Sequence, residues 1–74
     1  MTTKEAMEYI KEHDKEFTQY RLAKTLGINS SIVSNWVLGK TRMADKYYKN
    51  FKNIYPTIEI SDIKTSEYKL GDLQ

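Results

Sequence analysis

Apolar residues recur along the first 55 positions at spacings of three and four, with polar and charged residues between them. This is the period of helices that each bury one face. Ala6, Met7 and Ile10 mark a first helix over about 3–13, and Thr2 with Glu5 fits a capping box at its start. Phe17 follows as an apolar plug. Thr18 predicts the N-cap of a second helix, Gln19 to Leu26, whose inner face is Leu22, Ala23 and Leu26. Gly27 permits the left-handed turn that ends it, and Ile28 brackets the turn. Asn29 and Ser30 read as caps of a third helix reaching about Leu38, with Ile32, Val33, Trp36 and Val37 as its apolar set. Gly39 stops it, and Lys40 to Met43 form a short basic loop. A fourth helix, from about Ala44 to Ile54, carries Tyr47, Tyr48, Phe51 and Ile54 and ends before Pro56.

Beyond Pro56 the helical period breaks. Thr57-Ile58-Glu59-Ile60 alternates as a strand does, whereas Ser61-Asp62-Ile63 could cap a short fifth helix. The helix is favoured. Ile58, Ile60, Ile63, Tyr68 and Leu70 would either fold back on the domain or form a contact between two copies. The expectation is an all-α fold, a compact four- to five-helix bundle. Residues 1–56 form its one domain, and residues 57–74 are a tail that is helical or a β-strand or hairpin.

Length and composition narrow the function. A chain of 74 residues has little surface left over for a deep pocket. Without cysteine there is no disulfide frame, zinc ribbon or thiol nucleophile. The first residues lack a signal-peptide pattern, and no apolar run reaches the roughly 20 residues of a membrane helix. A cytoplasmic protein without metal, cofactor, small-molecule ligand or membrane partner is expected. The one histidine, His13, sits in the charged run Lys11-Glu12-His13-Asp14-Lys15-Glu16 and reads as a solvated helix end. No glycine loop for phosphate and no glycine-flanked serine is present, so catalysis is not expected.

The net charge of +2 conceals a division. Residues 18–55 carry seven Lys or Arg (Arg21, Lys24, Lys40, Arg42, Lys46, Lys49, Lys52) against Asp45 alone, a balance of +6. The segments on either side are each −2. A basic middle of this kind suits an acidic partner.

That basic middle contains Gln19-Tyr-Arg-Leu-Ala-Lys-Thr-Leu-Gly27-Ile28, then Asn29-Ser-Ser-Ile-Val-Ser-Asn-Trp36 and Gly39-Lys40. Two short helices joined at glycine, with small Ala23 where they cross and Leu22, Leu26, Ile28, Val33 and Trp36 locking them, meet the requirements of a helix-turn-helix. Trp36 reads as core rather than as a stacking platform, and Tyr47, Tyr48 and Phe51 read as packing.

The stretch resembles the Cro/repressor (XRE-like) helix-turn-helix family through Leu22-Ala23, Leu26-Gly27-Ile28, Val33-Ser34-Asn35-Trp36 and Gly39-Lys40. The resemblance is firm over 18–42, looser through helices 1 and 4, and gives no signal after Pro56. It implies a small phage-type transcriptional regulator whose third helix enters the major groove. Ser30, Ser31, Ser34 and Asn35 would then face base edges. Members often carry glutamine where Ser30 stands, and a serine hydroxyl pairs with several bases, so Asn35 is the one bidentate reader. Ser30 and Ser31 also have a plain role open to them as helix caps. Phosphate contacts are expected from Gln19, Tyr20 and Arg21 at the start of the second helix and from Lys40 and Arg42 after the third. Lys46, Lys49 and Lys52 read as solvated charges. The implied partner is a near-palindromic double-stranded DNA operator bound by a homodimer. A rival reading keeps the same fold as a protein-binding module, such as an antirepressor or a modulator of another regulator.

Overall fold

The computed structural model describes residues 1–65. Among them are four helices: α1 (Thr3–His13), α2 (Gln19–Leu26), α3 (Ser30–Leu38) and α4 (Asp45–Ile54). The boundaries follow local chemistry. The Thr2 hydroxyl accepts from the Glu5 N–H at 3.1 Å while the Glu5 carboxylate accepts from the Thr2 N–H at 2.9 Å, so α1 opens on the expected capping box. Thr18 Oγ1 accepts from the Arg21 N–H at 3.0 Å and starts α2.

Both helices of the α2–α3 unit end in glycine turns. Gly27 and Gly39 lie at φ 73° and 77°, in the left-handed region where a side chain is strained. In each, the next residue reaches back five positions: the Ile28 N–H donates to the Ala23 carbonyl and the Lys40 N–H to the Asn35 carbonyl, both at 2.9 Å. These are Schellman closures, which satisfy the carbonyls a helix end leaves open. Gly39 has a second constraint. A β-carbon there would stand 2.8 Å from Cδ of Lys4, whereas one at Gly27 would meet nothing within 4 Å.

α3 is central: it packs against both α2 and α1, and α4 closes over α2. The core contains Ala6, Met7, Ile10, Leu22, Ala23, Leu26, Val33, Trp36, Met43, Phe51, Ile58 and Ile60. Trp36 is buried as expected, with the Tyr47 ring 6.0 Å away. Phe51 lies between Tyr48 and Tyr55 at 6.5 and 5.3 Å between ring centres. Ile28, expected in the core, is half-buried against it. Met43, expected in a basic loop, is fully buried.

The favoured fifth helix from Ser61 does not form within the described residues. The groups that would start it are committed elsewhere. Ser61 Oγ bonds the Met1 carbonyl, Asp62 accepts from Thr3, and the Lys64 N–H donates to the Met43 carbonyl. The strand-like alternation survives as burial, with Ile58 and Ile60 inside and Thr57 and Glu59 outside. It makes no ladder; an isolated bridge joins Ala44 to Lys64. Tyr68 and Leu70 lie outside the described residues.

α4 starts at Asp45, with Ala44 as an N-cap that has no side-chain acceptor. The Lys64 carbonyl substitutes, accepting from the Asp45 N–H at 3.0 Å. None of the described helices is long and apolar enough to cross a membrane.

Candidate nucleic-acid interface

α3 reads Ser-Ser-Ile-Val-Ser-Asn-Trp-Val-Leu and contains no charged residue. Val33 and Trp36 fix its inner side, so at 100° per residue Ser31, Ser34, Asn35 and Leu38 fall on the opposite side. These four positions span about 10 Å along the helix axis, the rise of about three base pairs. Ser30 and Ser31 are exposed, whereas Ser34 and Asn35 are half-buried. Leu38 is 57% exposed, an apolar side chain on an otherwise polar surface, and the helical pattern alone did not single it out.

Capping does not consume the serines. Asn29 Oδ1 accepts from the Ser31 N–H at 2.9 Å and serves as the N-cap, so Ser30 is the first helical residue rather than a cap. The side chains of Ser30, Ser31, Ser34 and Asn35 make no hydrogen bond among the described residues.

The five positions expected to face phosphate do not all gather around α3. Gln19, Tyr20 and Arg21 follow one another on α2 and so point about 100° apart. Tyr20, 68% exposed, shares a shallow groove with Ala23, Lys24, Ile28, Asn29 and Ser30, at the N-terminal end of α3. Gln19 is half-buried in a different groove, beside Met7, Lys11 and Val37. Arg21 turns a third way, toward Asp14, Glu16 and Tyr55. Its guanidinium stands 3.4 Å from the Glu16 carboxylate, an exposed pair that adds little to stability but directs the charge away from Ser30. Lys24 is the cation beside Ser30. Sequence reading counted its charge without placing it, although its position one turn after Tyr20 was the available signal.

At the other end of α3, Lys40 and Arg42 are both exposed. The Lys4 side chain crosses Gly39 and adds a third cation near the C-terminus of α3, held by Glu8 at 3.1 Å. On α4, Lys46 lies 5.2 Å from the Tyr47 ring centre, and Lys52 bonds the Pro56 carbonyl at 3.1 Å and stands 3.7 Å from Glu59. The reading of Lys52 as simply solvated is corrected: it is half-buried and engaged.

The acidic side of the molecule lies opposite in character. Asp14 Oδ2 accepts from the Tyr55 hydroxyl at 2.9 Å. Burial, that hydrogen bond and the adjacent carboxylate push the Tyr55 hydroxyl up to about 12, against a partial opposing effect of Arg21. His13 stacks on Tyr9 at 4.0 Å and is exposed. Among the described residues, no three His, Cys, Asp or Glu side chains converge in a way that could hold a metal. Comparison with protein-family models, curated proteins and solved structures finds no match.

Proposed function

We propose that the chain is a sequence-specific double-stranded DNA-binding regulator of transcription, Cro-like or repressor-like, that lays α3 in the major groove. One observation carries this reading. The outer face of α3 presents hydroxyls and a carboxamide that make no hydrogen bond among the described residues, and cations stand at both of its ends. Backbone phosphates flank a groove on both sides, so this is the arrangement in which cations position and neutral polar groups read. The resemblance of residues 18–42 to Cro/repressor proteins supports it.

Asn35 bonds an adenine through two hydrogen bonds, and the serines add contacts that tolerate several bases. Tyr20 and Lys24 hold phosphate at one end of α3, Lys40 and Arg42 at the other. Two copies on half-sites one helical turn apart, ~34 Å, would cover a near-palindrome and block polymerase.

Binding to the DNA flanking its own gene, measured over a range of salt concentrations, tests the reading. Three cationic contacts per copy give a slope of about −5 for a dimer. Asn35→Ala should relax base preference, and Arg42→Ala should weaken all sequences alike. Equal, shallow binding to every duplex, unaffected by Asn35→Ala, overturns it. Leu38 favours a second reading, a protein-binding module, because an exposed leucine on this face suits a protein surface. In that case Leu38→Ala abolishes partner capture and no duplex is preferred.

A further inference from the structure

The basic loop after α3 ends at Met43, and both backbone groups of that buried residue are held by distant parts of the chain. Its N–H donates to Thr3 Oγ1 at 3.0 Å, and its carbonyl accepts from the Lys64 N–H at 2.8 Å. Thr3 is 1% exposed. Its hydroxyl donates to Asp62 Oδ1 at 2.7 Å, and the same oxygen accepts from the Thr3 N–H at 2.8 Å. A hydroxyl has one proton to give. With that proton directed at Asp62, the lone pairs of Thr3 Oγ1 are left facing the Met43 N–H.

We propose that Asp62 is a positioning residue for the phosphate contact of Arg42, acting through Thr3 and Met43. The inference rests on the DNA-binding reading and names a residue that reading does not use. Arg42 immediately precedes the clamped Met43 and is itself exposed, so the clamp sets where its guanidinium can reach. Lys40 has a separate anchor, because its N–H closes α3 on the Asn35 carbonyl. The two cations of one short loop therefore depend on different parts of the molecule. Removing Asp62 should disable Arg42 and spare Lys40.

A double-mutant cycle on the full chain tests this, with the salt slope of duplex binding as readout and circular dichroism to set a temperature at which every variant is folded. Arg42→Ala removes one contact from each copy of the dimer and should reduce the slope by about 2. Asp62→Ala should reduce it by the same amount, and the double variant by no more. Asp62→Ala with Lys40→Ala should lose about 4, two contacts from each copy, because the contacts are independent. Asp62→Asn keeps the accepting oxygen and should restore the wild-type slope. Thr3→Val breaks the same relay at its centre and should reproduce Asp62→Ala, which covers the case in which Asp62→Ala does not fold. A general loss of stability would act equally on both cations. Additive loss with Arg42→Ala, or an unchanged slope in Asp62→Ala, overturns the inference. Failure of the wild type to bind DNA removes the reading beneath it, and the inference with it, which is a distinguishable result.

Discussion

The corner between α2 and α3 and the clamp between the α3–α4 loop and residues 58–64 both fix a stretch of backbone, but by different chemistry. The corner is local. Gly27 supplies the left-handed turn, Ile28 closes it on Ala23, and the adjoining apolar face seals it. The clamp joins residues some 60 positions apart through side-chain oxygens, Thr3 Oγ1 and Asp62 Oδ1. A corner made from backbone preference and burial tolerates exchange of many polar neighbours. A buried hydrogen-bond relay does not, because removing one member leaves the others desolvated and unpaired.

The largest effect should come in the one core cluster that both regions adjoin. Trp36→Ala removes the ring that α3 inserts among the other helices and should cost about 3–5 kcal/mol. For a domain this small that is most of its stability, so thermal denaturation should show it largely unfolded. Retention of a cooperative transition near the wild-type midpoint would show that the corner does not depend on its core.

Thr3→Val separates the two regions. It keeps the shape but strands the Met43 N–H and should cost about 1–3 kcal/mol by urea denaturation. The glycines provide a finer contrast. Gly27→Ala should cost about 1 kcal/mol from backbone conformation alone. Gly39→Ala should cost more, because the β-carbon also meets Lys4 at 2.8 Å. Equal losses would show that the Lys4 side chain simply moves aside.

The smallest effect is on the acidic side, at Tyr55. Its folded-state pKa is about 12, above the ordinary 10.0, so the folded protein keeps a proton that the unfolded chain loses. The stabilisation is complete below about pH 10 and fades as pH rises toward 12. Tyr55→Phe should flatten that part of the stability curve relative to wild type, and an identical alkaline slope in both would contradict the assignment.

The corner was legible in the sequence because its signals are short-range. Thr2, Thr18, Gly27 and Gly39 each act within five residues, and the apolar period shows the inner faces directly. The clamp was not. Ser61 and Asp62 look like helix starters, and only the approach of Met1 and Thr3 diverts them. Met43 looked like part of a basic loop because a single apolar residue has no period. The candidate interface falls between these cases. Helical spacing placed Ser34 outward and the resemblance added Ser31 and Asn35, whereas the direction of Arg21 depends on Glu16, three residues before α2 begins, and no pattern along α2 reveals it.

The span of the clamp bears on how the molecule folds and opens. Joining Thr3 to Asp62 closes a loop about five times longer than a turn of about a dozen residues between neighbouring helices, at an added entropy of roughly 1.4 kcal/mol. Contacts of long sequence separation are the slow ones to form. The four helices can therefore assemble before residues 58–64 dock, and the same segment is first to leave. In hydrogen exchange, the Met43 and Asp45 amides should share one low-energy opening, while the Ala23-bonded amide of Ile28 exchanges only on global unfolding.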